Sequence, residues 1–388
     1  MMKFRRFAGV SALAFILLAV LGVVAVTAAA RFTDVPTDHI FYAFVEAFFG
    51  EGITAGTSAT TFSPDAAVTR GQMAVFMMKL RNLQAERQAM KVATLRWYEG
   101  TQNGNRVHLE AGYHPVSLAF DGDMMWVLGT SSTEARLYRF HTPQLDSDGL
   151  VYVTNSTGSS EVGGLAFDGK GVWFSYPSGI MFHLCRVGIV ETTIAATQAA
   201  GRGPSAFDGE NVWLYHQSSA LLEQMRPADF VSRGTYAMPF PASSGDRAGL
   251  AFDGSHLWLS DGSSSSVLKI DLNGSVVGTY AVGNGAGGIA FDGHCLWVAL
   301  SAGDSVAKID RSGTVLGTYP VGDFPLGVCF DGSSIWVTNF LGNSVTKLRC
   351  SDGTVLKTFA MDSGPQAIAF DGLFVWVGCR FAGTVVAL

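Results

Sequence analysis

The triplet Phe-Asp-Gly, followed four residues after its Gly by Trp, occurs seven times in this chain of 388 residues. The copies place Asp at 121, 168, 208, 253, 292, 331 and 371, so the period is close to forty residues. A fixed period of that length means one supersecondary unit repeated, each copy burying its apolar faces against its neighbours. The fifth copy shows the unit most clearly. "GGIAF" (287–291) and "LWVAL" (296–300) flank an Asp-Gly turn, and Asp-Gly between apolar runs is a hairpin signal because Gly tolerates positive φ. "SVAKID" (305–310), an "RSG" turn and "TVLGTYPV" (314–321) supply two further strands.

Four antiparallel strands in about forty residues make one blade of a β-propeller. Seven copies predict an all-β, seven-bladed β-propeller over 93–388. The last copy ends at its third strand, "AGTVVAL", while "NRVHLEAG" (105–112) reads as a strand with no preceding partner. The strand near Val107 is therefore expected beside Thr384–Leu388, which closes the ring and removes an aggregating edge. In this reading Gly makes the turn, and Phe and Trp fill the space between neighbouring blades. Seven sugar-stacking tryptophans are the alternative; a seven-fold core accounts for identical aromatics more simply.

Upstream, "MMKFRRFAGVSALAFILLAVLGVVAVTAAA" has Lys3, Arg5 and Arg6 before an apolar run that ends in small residues. That is the layout of a signal peptide, assigned to 1–30; left uncleaved, the run is long enough to anchor the chain in a membrane. Residues 31–80 predict a small α-helical module. Ile40, Phe44, Val45 and Phe48 share one helical face, Gly50 and Gly52 end it, and Thr69 caps a second face of Met73, Phe76, Met77 and Leu80. The stretch 81–92 continues as a helical spacer.

The module resembles an S-layer homology (SLH) domain through Phe32-x-Asp34-Val35, Gly52-Ile53-Thr54-x-Gly56, Phe62-x-Pro64-Asp65 and Val68-Thr69-Arg70. The resemblance implies attachment to acidic cell-wall polysaccharide, with Asp34 and Arg70 contacting the glycan. An Arg fork suits a sugar carboxylate. Gly71-Gln72 stands where the family has Ala-Glu, Phe41 where it has Trp, and there is one copy where anchoring members often use three. The repeats resemble YVTN, NHL and virginiamycin B lyase-like propellers, most closely in Trp336-Val337-Thr338-Asn339.

A formal charge of −6 excludes nucleic acid as the natural partner, since phosphate binding needs a basic face. The five cysteines (185, 295, 329, 350, 379) form no C-x-x-C pair and too irregular a set for a disulfide framework, leaving buried thiols or a single bridge in the C-terminal third. "GNGAGG" (283–288) precedes a strand, which removes the dinucleotide reading of G-x-G-x-x-G.

By analogy with other propellers, one face gathers the loops between second and third strands and those entering each first strand. The ligand-binding candidates there are His114, Tyr215, His216, Asp246, Arg247, Asp261, Asn339 and Arg380, with Glu161, Tyr176, Arg202 and Asp304 near them. The first three copies have diverged and carry longer loops, so specific contacts are expected there. The streptogramin lyases, which the resemblance brings into view, pair a metal-binding Glu with a His two residues on, and no Glu-x-His occurs in this chain. No catalytic residue, resident metal or cofactor is assigned. The expected function is a secreted, envelope-associated propeller that binds a protein or glycan. A propeller-type lyase or hydrolase with a divalent cation at the tunnel mouth is the alternative.

Overall fold

A computed structural model describes residues 33, 106–122, 124–141, 147–154, 164–175, 180–185, 191–195, 203–227, 229–241 and 248–388. The expected signal peptide, SLH module and spacer fall outside these residues, apart from Thr33. Every regular element described is a β-strand, and all belong to a compact unit that runs from Thr101 to Leu388.

The strands form seven four-stranded antiparallel sheets. Six are built from four strands consecutive in the chain; sheet one, for example, comprises His114–Phe120, Met124–Thr130, Ala135–His141 and Ser147–Thr154. The seventh is composite. Its inner three strands are Pro365–Phe370, Val375–Cys379 and Thr384–Ala387, and its outer strand is Arg106–His108 from the other end of the unit. The register is Arg106↔Val386, Val107↔Val385 and His108↔Thr384, the closure expected from the sequence. The first strands of successive sheets touch in turn around the molecule, and that of sheet seven touches that of sheet one, so the β-propeller is a closed ring.

Burial follows the strand's place in its sheet. Second strands such as Leu296–Leu300 and Val375–Cys379 are buried at every residue, because neighbouring sheets cover both faces. Outer strands alternate exposed and part-buried residues, as in Val315–Pro320.

Each interface repeats one packing scheme. The Trp of one sheet clusters with the Phe of the next: Trp126 with Phe167, Trp258 with Phe291, Trp376 with Phe120 across the closure. Burying roughly 200 Å² of indole contributes at most about 5 kcal/mol per interface. No single hydrogen bond there is as large, so indole burial holds sheet to sheet.

The Asp of each copy orients that indole. In all seven sheets its Oδ2 accepts the indole Nε1–H, at distances from 2.7 Å at Trp213 to 2.9 Å at Trp126. Its Oδ1 accepts turn backbone N–H groups, as Asp253 does from Ser255 (2.9 Å) and His256 (2.8 Å). The Gly after it has φ between 89° and 99° in every copy, a conformation that Gly adopts without strain and residues with a Cβ rarely do. Phe-Asp-Gly-x-x-x-Trp is thus one clamp: aromatic, turn, carboxylate, indole. The spacing of Asp and Trp was visible in the sequence, but the bond between them was not read there.

Candidate functional site

The first strands converge on a central channel whose mouth holds a cavity of about 490 Å³. Small residues three positions before the Phe in six of the seven copies, with Pro204 in the third, make the convergence sterically feasible. A Cβ on Gly288 would lie 2.2 Å from the Leu326 carbonyl oxygen, and one on Gly249 2.7 Å from that of Gly287. Hydroxyls tie adjacent sheets at the same level. Ser205 Oγ donates to Gly164 O at 2.9 Å, and Thr338 Oγ1 to Gln366 O at 3.2 Å.

His114 and Arg380 are the predicted candidates that line this cavity, together with Thr130, Ser131, Gln217 and Gln366. They are 266 residues apart, joined by the closure: His114 Nδ1 lies 2.6 Å from the Arg380 carbonyl oxygen. A carbonyl only accepts, so Nδ1 is the donor of this bond. Arg380 Nη1 donates to Gln366 Oε1 at 3.3 Å.

The structure places four of the other described candidates inside the wall and leaves Asp304 exposed. Tyr215, His216, Asp261 and Asn339 are at most 1% exposed. Asp261 accepts the Tyr215 hydroxyl at 3.2 Å and the Ser263 hydroxyl and backbone N–H at 2.6 and 2.9 Å. Burial first, then the Asp261 charge, pushes the Tyr215 hydroxyl pKa up. His216 Nε2 lies 3.1 Å from Glu223 Oε2 in an equally buried pair. The Asn339 carboxamide accepts from Gly322 N–H and donates to Ser344 and Thr346. Asp304 accepts the Phe324 N–H at 2.9 Å. These groups fix loops and strand ends through bonds to backbone N–H groups and to one another, which a sequence cannot distinguish from a ligand role. Asp34, Arg70, Glu161, Tyr176, Arg202, Asp246 and Arg247 lie outside the described residues, as do several loops of sheets one to three.

Sequence reasoning missed an aromatic ridge on the same face. Phe340 is 5.1 Å from Phe381 and 6.3 Å from Phe324 between ring centroids. Phe381 is 60% exposed and Leu341 53%. The signal was present: Phe340-Leu341 and Arg380-Phe381 sit in turns where sheet five has Ser301-Ala302.

Among the described residues no three His, Cys, Asp or Glu side chains come together as a metal site would need. The ionisable described residues that line the mouth are Arg380 and His114, so the arrangement suits an anion or a hydrogen-bonding ligand.

Comparison with known proteins agrees with this architecture. A search of curated protein sequences finds no match. Among solved structures, the chain is similar to virginiamycin B lyase from Staphylococcus aureus, with 17% identity and a TM-score of 0.59 over 73% of this chain and 97% of that one. It is similar to a streptogramin B lyase at 17% identity and a TM-score of 0.56, again over 73% and 97%. Kuenenia stuttgartiensis hydrazine synthase follows at 14% and 0.55, covering 74% and 99%. At these identities the likeness concerns the propeller fold. Residues 31–74 match the S-layer homology domain family, so this chain carries an S-layer homology domain ahead of a β-propeller.

Proposed function

We propose that this is a secreted, cell-envelope-associated protein whose S-layer homology module attaches it to cell-wall polysaccharide and whose seven-bladed propeller presents one face to a protein or glycan partner. The observation that carries the reading is the S-layer homology match at 31–74, a domain type associated with the cell surface, in the same chain as the ring. Asp34 and Arg70 are the proposed glycan contacts, Arg70 as a bidentate fork for a sugar carboxylate. At the propeller, His114 and Arg380 are the proposed contact residues, since both line the open mouth. Asp246 and Arg247 remain proposed contacts. The alternative of a metal-assisted lyase has the shared fold as its only support.

Co-sedimentation tests the anchoring. Purified full-length protein is mixed with bacterial cell walls before and after extraction of their polysaccharide. Binding to intact walls, lost on extraction and weakened at least tenfold by Arg70→Ala or Asp34→Ala, is the expected result. Equal binding to extracted walls would overturn the reading.

A further inference from the structure

We infer that the channel mouth where sheets six, seven and one meet binds an acidic peptide segment, its carboxylate against Arg380 and an adjacent apolar side chain against Phe381. This rests on the proposal that the propeller face holds a partner, and names the partner's chemistry.

Three observations converge. First, apolar surface gathers beside the mouth, where Phe381 and Leu341 are exposed and Phe324 and Phe340 half-buried. Phe324, Phe340, Phe381 and Leu341 come from adjoining loops, and the central ring lies within contact range of the other two. An exposed apolar patch beside an arginine has the composition of a protein-binding hot spot. Phenylalanine and leucine also lack the polar tips that fix sugar hydroxyls, which favours a peptide over a glycan.

Second, the ridge is held in place before any partner arrives. Phe340 N–H donates to Phe324 O at 3.0 Å, and Phe381 N–H to Ser363 O at 3.2 Å. Phe324 itself has φ 55°, unusual for a bulky residue, and is held there by the Asp304 carboxylate on its N–H. Rings already ordered lose little entropy on binding.

Third, the charge is complementary. The ionisable described residues lining the mouth are Arg380 and His114, with no carboxylate among them. A second hollow of about 330 Å³ shares His114 and is bordered by Phe381, Tyr113 and Glu110, whose carboxylate is already paired with Arg136. A short segment lying over Phe381 would therefore reach a cavity on either side, one of them containing the guanidinium.

The test uses full-length protein and three probes in titrations followed by NMR: N-acetyl-Phe-Glu-amide, N-acetyl-Phe-Gln-amide and glucuronic acid. The Glu peptide should bind at least tenfold more tightly than the Gln peptide. Arg380→Gln should abolish that difference, and Phe381→Ser, at an exposed position, should weaken both peptides about fivefold. Equal affinity for the two peptides, a preference that survives Arg380→Gln, or binding of glucuronic acid with neither peptide would each overturn the inference. The Asp34→Ala and Arg70→Ala variants should bind the Glu peptide as the parent does, so failed wall attachment and a failed mouth site are told apart.

Discussion

Replacing Asp253 removes the acceptor for one complete clamp. Asp253 and Trp258 are buried, at 1% and 0% exposure, and the Trp258 Nε1–H meets Oδ2 at 2.8 Å. A hydrogen bond to a charged acceptor contributes about 1.5–3 kcal/mol, and a buried donor left without one costs about 1–3 kcal/mol. The Ser255 and His256 N–H groups lie in a surface turn and can turn to water, so their loss adds little. Asp253→Ala should therefore destabilise the propeller by about 3–4 kcal/mol. Asp253→Asn keeps Oδ1 for the turn but presents either an NH₂ or an uncharged oxygen to the indole, for about 2 kcal/mol. The discriminating measurement is a double-mutant cycle with Trp258→Phe, read by urea unfolding monitored by far-ultraviolet circular dichroism. The cavity left by the smaller ring is common to both arms and cancels, leaving a coupling of about 1.5–3 kcal/mol. A coupling below about 0.5 kcal/mol would refute the claim that the carboxylate and the indole act as a unit.

The same clamps set the acid limit of the fold. Burial pushes the carboxyls of Asp168, Asp253 and Asp331 up, but bonds from indole, backbone and, at Asp168, His183 hold all three below the usual carboxylate range. Their stabilisation is thus fully present above about pH 4 and is lost as pH falls through the depressed values; the melting temperature should be flat from pH 7 to 5 and drop below 4, and a rise on acidification would contradict this. Gly288→Ala forces the inner strands apart at the Leu326 carbonyl and should cost about 1–3 kcal/mol in urea unfolding, whereas a neutral effect would show that the channel is not close-packed. Ending the chain at Gly383 removes the strand between Val375–Cys379 and Arg106–His108, so light scattering should show aggregates through the opened edge, and a soluble monomer with native circular dichroism would sink the closure argument. Cys295, Cys329, Cys350 and Cys379 are free thiols. Burial raises all four pKa values, to about 11 at Cys350 and about 12 at Cys379; a thiol reagent at pH 8 should label Cys379 only after unfolding, and rapid native labelling would contradict its burial.

The blade period, the hairpin turns and the closing strand were legible from the chain alone, because each depends on local chemistry: Asp-Gly turns, alternation of apolar residues, and a strand missing at one end with a spare at the other. The Trp–Phe interfaces could be read for the same reason, since a large apolar residue repeated at a fixed place must be covered by the neighbouring copy. Polar residues carry no such signature. Tyr215, Asp261 and Asn339 look like surface ligands in the sequence, yet in the wall Tyr215 donates to the Asp261 carboxylate, and Asp261 and Asn339 accept from backbone N–H groups. Only ring closure brings His114 to Arg380, and only the spacing of neighbouring loops sets Phe324, Phe340 and Phe381 in one ridge. Contacts between residues far apart in the chain depend on how the sheets are placed around the axis, which is a property of the assembled ring and of no single repeat.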